Sequence, residues 1–377
     1  MCVWNDRRIL VKIKTFSCHD VYNVGASLQA YALSEFLRQQ GYDVEIIDYK
    51  PDYLSKHYNF KAVDNPRYEN PFFLRWIYLI LKFPKRLMKY SGKQNFDKFR
   101  DKYLRLTKRY NSLEELKQNP PEADLYIAGS DQIWNTLFKN GRDGAFYLEF
   151  APKGVRKASY AASFSTDTIA NGWENQIKFW LSDFAHISVR EKSSLRLLDE
   201  MAFEGCSVLD PVFLLNKEQW KSLIRKNETS NDVFIYDFDG NSLMERISDL
   251  FKEKFGYKTT SFFPVKYSDV NLRYPGPLEF LETIYQSKVV VSNSFHATVL
   301  SLIFHKDFYV IKRNEDINVR MVDLLKLFEL EDRILANENE LIHVKPIDWN
   351  RVDLILNRER EKSTRYLMEL TKENEDS

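Results

Sequence analysis

The sequence predicts an α/β protein made of two doubly wound parallel sheets, and three observations carry that expectation. β-rich runs alternate with runs of helical period along most of the chain, the order that builds parallel sheets covered by helices. The first fifty residues hold a complete strand–helix–strand unit. The alternation restarts after Asp210-Pro211, and a chain of 377 residues is longer than one hydrophobic core usually serves.

Ile9–Ile13 reads as the first strand and Thr15–Val24 as a polar loop. Gly25 then opens a helix in which Leu28, Ala32 and Phe36 repeat every four residues. Gly41 stands where a C-terminal cap belongs, and Val44–Ile47 follows as a strand. Further strands are expected at Leu125–Ala128, Lys157–Ala161, Ile187–Arg190 and Ser207–Leu209, with a helix over Glu191–Met201. The second series runs strand Val233–Tyr236, helix Ser242–Phe255 closed by Gly256, and strand Lys258–Phe262. It continues with helix Pro277–Tyr285, strand Lys288–Ser292, helix His296–Phe304 and strand Asp307–Ile311. Asn350–Lys372 reads as a polar helix. The expected division is an N-terminal Rossmann-like domain over 1–212 with a helical insertion around 66–120, and a second over 213–345. The C-terminal helix of 346–377 is expected to pack back on the first domain.

The formal charge of +1 excludes binding to nucleic acid through bulk positive charge. Three cysteines give no disulfide framework, and no zinc spacing, P-loop or G-x-G-x-x-G appears, so no metal is expected. Ile9–Ile13 is too short for a signal core and no apolar run spans a membrane, which predicts a cytoplasmic chain. Phe72–Tyr90 differs from its surroundings. It mixes aromatics with Arg75, Lys82, Lys85, Arg86 and Lys89 and holds no acid. It reads either as an interfacial helix facing anionic lipid at the inner face of the cytoplasmic membrane, or as a packed helix with a solvated basic face.

Four loops carry candidate chemistry. In the first, Asn23, Gly25 and Ala26 open a helix whose free N–H groups suit an anion, although glycine is common in such turns. In the second, Ser130, Asp131, Gln132 and Trp134 follow Gly129. They suit sugar hydroxyls and a stacking face, or else Asp131 caps the next helix. In the third, Arg190 ends a strand and presents a planar fork to carboxylate or phosphate, or else pairs with Glu191 on the surface. In the fourth, Ser294 precedes His296, which falls in the first turn of a helix. That imidazole is placed for proton transfer, although a single histidine is commonly structural.

Taken in order, these loops resemble the polysaccharide pyruvyl transferase family. The matching stretches are Asn23–Leu33, Ile46–Tyr49, Gly129–Asn135, Ala158–Phe164, Ile187–Lys192, Asp210-Pro211 and Ser292–His296. The resemblance implies an architecture like that of two-domain B-type glycosyltransferases. It also implies transfer of the enolpyruvyl-derived group of phosphoenolpyruvate to a sugar of a surface polysaccharide or its lipid-linked precursor, without a cofactor. By that resemblance His296, Asp131 and Arg190 are the catalytic candidates. Asn23, Gly25, Ala26, Arg190, Ser294 and His296 are donor-binding, and Ser130, Asp131, Gln132 and Trp134 are acceptor-binding. Two alternatives are a nucleotide-sugar-dependent glycosyltransferase and a non-catalytic glycan-binding or scaffold protein.

Overall fold

The computed structural model describes residues 11–54, 76, 92–225, 228–230, 232–273, 275–313 and 318–372. Of Phe72–Tyr90 only Trp76 is among them, so that stretch lies outside the described residues. Among the described residues no helix is long and apolar enough to cross a membrane.

The first sheet takes β1 (Lys12–Phe16), β2 (Asp43–Tyr49), β3 (Leu106–Tyr110), β4 (Leu125–Ala128) and β5 (Arg156–Ser159) in the order β3-β2-β1-β4-β5, all parallel. Two short strands, β6 (Ser188–Val189) and β7 (Cys206–Ser207), pair with each other, and single bridges at Ala158–His186 and Ala162–Val189 tie them to the β5 side. The helices of this half are α1 (Val24–Gln39), α2 (92–103), α3 (Leu113–Gln118), α4 (Glu174–Leu181), α5 (Lys192–Glu200) and α6 (Lys217–Lys221).

The second sheet takes β8 (Val233–Tyr236), β9 (Thr259–Ser261), β10 (Val270–Asn271), β11 (Val289–Ser292), β12 (Asp307–Ile311) and β13 (Ile334–Leu335) in the order β10-β9-β8-β11-β12-β13, again all parallel. Its helices are α7 (Ser242–Phe255), α8 (Pro277–Gln286), α9 (Phe295–Phe304) and α10 (Val319–Leu327), and α11 (Trp349–Lys372) ends the chain. β8 and β11 are buried along their whole length, which explains their uninterrupted apolar runs. α7 begins where the Asn241 side chain accepts from Leu243 N–H. It ends at Gly256, whose φ of 65° lies in the left-handed region that glycine enters without strain.

The strand order reverses between β1 and β4 in one sheet and between β8 and β11 in the other. Ligands of open α/β sheets bind outside the strand C-termini at such reversals. The loops after these four strands therefore form the crevice.

A single apolar core joins the two halves: Leu28 and Tyr31 of α1, Phe213, Trp220, Phe280 of α8 and Leu300 of α9 belong to one buried cluster. Trp220 is fully buried, donates from Nε1 to Val212 O at 2.9 Å and packs 5.7 Å from the Tyr31 ring. α11 lies against the first half. Ser363 Oγ accepts from Leu209 N–H (2.9 Å), Tyr366 Oη donates to Ser159 O (2.8 Å) and Tyr42 Oη donates to Thr371 Oγ1 (2.8 Å).

Two local differences have physical causes. The first strand runs Lys12–Phe16 where Ile9–Ile13 was expected, residues 9–10 lying outside the described residues; it continues through Thr15 because its lysines are neutralised by distant segments. Lys14 is buried and paired with Glu45 at 2.6 Å, and Lys12 pairs with Glu122 at 2.7 Å. β3 was not expected, because as a half-exposed edge strand its Leu-Thr-Lys-Arg-Tyr sequence reads as polar loop.

Removing the Trp220 side chain is expected to cost about 3–5 kcal/mol of unfolding free energy, as for other buried large-to-small changes. Urea denaturation of Trp220→Ala measures it. A loss under about 1 kcal/mol would show that the seam between the halves does not rest on this ring.

Candidate functional site

A cleft of about 640 Å³ lies at the strand C-termini of both sheets. Asn23 and Asp131 line it from the first half, and Ser294, His296, Arg313 and Arg320 line it from the second. Asn293 Oδ1 accepts from Phe238 N–H at 3.2 Å, tying the loop after β11 to the loop after β8.

His296 sits in the first turn of α9 and is buried. Its ring lies so close to α1 that a Cβ on Gly25 would stand 2.0 Å from Nδ1. Residue 25 must therefore lack a side chain, for space rather than for backbone conformation. On the other side Nε2 lies 3.6 Å from Asp210 Oδ2, slightly beyond hydrogen-bond length.

Asp210 is the centre of this arrangement and is 1% exposed. Its Oδ2 accepts from Arg190 Nη1 (2.9 Å) and from Ser130 Oγ (3.2 Å), and its Oδ1 accepts from Val212 N–H (3.0 Å). Burial alone would push its carboxyl up. His296, the Arg190 guanidinium and the Val212 N–H outweigh burial and hold it well below the usual carboxylate range. Arg190 Nε donates to Glu191 Oε1 (3.2 Å), and Glu191 accepts from Ser163 Oγ (2.6 Å) and Ser194 Oγ (3.2 Å). Burial opposes the charge on Arg190. Glu191, Asp210 and Asp131 nonetheless raise its pKa above the ordinary guanidinium value.

Phe295 packs against two cations, with the Arg190 guanidinium 4.8 Å and that of Arg320 5.6 Å from its ring centroid. Arg320 Nη1 stands 3.9 Å from Asp131 Oδ1, and the Gln132 amide, oriented with its oxygen toward Arg320, accepts at 2.9 and 3.0 Å. Burial first, and then repulsion from Arg190, push the Arg320 pKa down to about 10, so it stays protonated at neutral pH while short of negative charge. Arg313 reaches the cleft from the end of β12. It stacks 4.5 Å from the Phe238 ring and pairs with Asp239 at 3.3 Å. Asp131 has φ of 79°, a strained conformation for a side-chain-bearing residue. Ser163 N–H and Ile133 N–H donate to its carbonyl and hold it there.

The structure brings His296 and Arg190 together on Asp210 and places Asp131 in the same cleft as His296. It moves several other expected residues out of ligand contact. Gly25 N–H (2.9 Å) and Ala26 N–H (3.2 Å) both donate to the Asn23 side chain, so these two groups are not free for an anion. Ser294 likewise caps α9, accepting from Ala297 N–H at 3.3 Å. Ser130 is fully buried and holds Asp210 instead of meeting an acceptor. Trp134 offers no stacking face. It is fully buried, parallel to the Tyr147 ring at 5.6 Å, and donates from Nε1 to Phe146 O. The Arg190–Glu191 pair exists but is buried, and Arg190 faces a small side cavity rather than the main cleft. Asp131 does not cap a helix, since none follows it directly.

Asp210, Arg313 and Arg320 are functional candidates that sequence reasoning did not single out. Asp210-Pro211 was visible as a motif, but its role depends on residues 80 and 86 positions away. Arg313 and Arg320 sit outside any recognisable motif, and only the packing of β12 and α10 aims them inward.

The model of a family described as polysaccharide pyruvyl transferase matches residues 23–315. No curated protein matches the chain. Among solved structures, a putative UDP-N-acetylglucosamine 2-epimerase from Listeria monocytogenes aligns with a TM-score of 0.57 at 8% identity over 98% of both chains. The UDP-GlcNAc 2-epimerase from Neisseria meningitidis, bound to UDP-GlcNAc, aligns with a TM-score of 0.56 at 9% identity over 97% of this chain and 100% of that one. At such identities the likeness establishes the fold, an α/β architecture of the two-domain B type.

The lowered pKa of Asp210 has a signed consequence. A carboxyl held below its unfolded value of about 3.9 contributes stability that is present above that pH and is lost as pH falls toward the folded value. Asp210→Asn is expected to cost about 3 kcal/mol near neutral pH, because it removes one of the two carboxylates that neutralise buried Arg190 and leaves only Glu191. The gap from the native protein should narrow below about pH 4. Urea denaturation across pH measures both, and a gap independent of pH would refute the linkage.

Proposed function

The chain belongs to the polysaccharide pyruvyl transferase family and is a transferase. On that premise we propose that it moves the enolpyruvyl-derived group of phosphoenolpyruvate onto a sugar of a surface polysaccharide or its precursor, as a pyruvate ketal. The observation that carries this reading is a cleft that gathers an imidazole, a carboxylate and two guanidinium groups from both halves of the chain.

The donor carries a phosphate and a carboxylate. Arg320, short of negative charge, and Arg313 supply the complementary cations, and the planar fork of a guanidinium suits either anion. His296 is the acid: it gives a proton to the donor methylene carbon, which becomes the methyl group. An acceptor hydroxyl then adds to the adjacent carbon while Asp131 receives its proton. The C–O bond to phosphate breaks, a second hydroxyl of the same sugar adds, and phosphate leaves with the remaining proton. Asp210 touches no substrate in this scheme. It positions His296 and neutralises Arg190 beside the ring of Phe295. No cofactor takes part, and phosphoenolpyruvate is the co-substrate. The reading places the enzyme in the cytoplasm, at the inner face of the membrane where it meets its acceptor.

His296→Ala is expected to lower acceptor-dependent phosphate release from phosphoenolpyruvate by about 10²–10⁴-fold. Turnover near the native rate would remove His296 from the acid role. Tight binding of a nucleoside diphosphate with none of phosphoenolpyruvate would overturn the donor assignment. Arg320→Ala should chiefly raise the KM for phosphoenolpyruvate. Gly25→Ala should cost activity through displacement of His296 while leaving calorimetric binding of phosphoenolpyruvate measurable.

A further inference from the structure

A second cavity of about 670 Å³ adjoins the cleft, and Asn23, Tyr236 and Phe238 line both. Its chemistry is different. Tyr22 and Phe96 from the first half and Phe262, Phe263 and Leu272 from the second make its walls with the shared rings. The rings brace one another: Tyr236 lies 5.1 Å from Phe262 and 4.9 Å from Phe263, Phe238 lies 5.7 Å from Phe263, and Tyr22 lies 5.8 Å from Phe96.

The amides on this wall are committed elsewhere. Asn271 accepts from Val265 N–H at 2.9 Å and donates to Val265 O at 3.1 Å, and the Asn23 oxygen caps α1. Arg273 also lines this cavity, but among the rings a sugar would give up hydrogen bonds to water and regain few, whereas a hydrocarbon has none to give up. Phe238 packs on Phe263 and carries the Arg313 guanidinium over its ring, yet it stays 56% exposed, so part of an apolar ring remains uncovered where cleft and chamber meet.

We propose that this chamber receives the hydrocarbon chain of a lipid-linked acceptor, an alkyl or prenyl tail, while the sugar it carries lies in the adjoining cleft. The assignment rests on the acceptor being a sugar derivative, as proposed above. In sequence, Gly92 on this wall comes two residues after the acid-free, basic and aromatic stretch Phe72–Tyr90, whose charge suits the anionic surface in which such a carrier resides.

The test uses the full chain and an uncharged dodecyl maltoside bearing a diazirine near the chain end, below its micelle concentration. Labelling is mapped by mass spectrometry, and phosphoenolpyruvate binding is measured separately by calorimetry. Labels should concentrate on Phe262, Phe263, Leu272 and Tyr22. Each added methylene should tighten binding about four-fold until the chamber is full. Leu272→Trp, which fills the space, and Phe263→Asp, which makes it polar, should each cut labelling at least ten-fold while phosphoenolpyruvate binding persists. Labels spread over the exposed Phe179, Ile342 and Leu354, or unchanged in both variants, would overturn the proposal. Chamber labelling with no phosphoenolpyruvate binding would discard the donor reading and leave the chamber standing.

Discussion

One buried carboxylate organises this molecule's crevice. Asp210 sits where the first sheet ends and the second half begins, and an ionised group there is tolerable only with partners on every side. It finds them in Arg190 after β6, Ser130 after β4, the Val212 N–H and His296 at the start of α9. Each partner comes from a different part of the chain. Satisfying one charge therefore fixes the relative position of four elements, and the imidazole inherits its place from that requirement.

The same logic shapes the open side of the cleft. Arg190 pairs with two carboxylates and packs on Phe295, whereas Arg320, on the same ring, has only a more distant carboxylate and a neutral amide. Two cations that share one aromatic ring repel each other, and the one with fewer carboxylates carries the imbalance. The proposed donor, with two anionic groups, would offset that imbalance. The neighbouring aromatic chamber continues the cleft with opposite chemistry, so polar and apolar ends of one substrate would meet matching walls.

Much of the fold was legible in the sequence because local signals and tertiary need agree. Leu125–Ala128, Val233–Tyr236 and Asp307–Ile311 are strands with the bounds their apolar runs suggest, and Ser242–Phe255 is a helix bounded by an asparagine cap and a left-handed glycine. What local pattern concealed was β3, a half-exposed edge strand, and the C-terminal part of β1, where Lys14 is neutralised by Glu45, a partner distant in sequence.

The sequence alone determined the alternation that builds two parallel sheets, and it marked the loops holding Asn23, Asp131, Arg190 and His296, because turn chemistry and apolar period are local properties. Only the tertiary structure decided the roles within those loops. It buried Trp134 and Ser130, spent the first N–H groups of α1 on Asn23, and turned Arg190 inward. It also recruited Asp210, Arg313 and Arg320, and it made Gly25 a matter of room for an imidazole. Exposure and charge partnership depend on what a distant segment brings alongside, and that follows from packing, which no local pattern records.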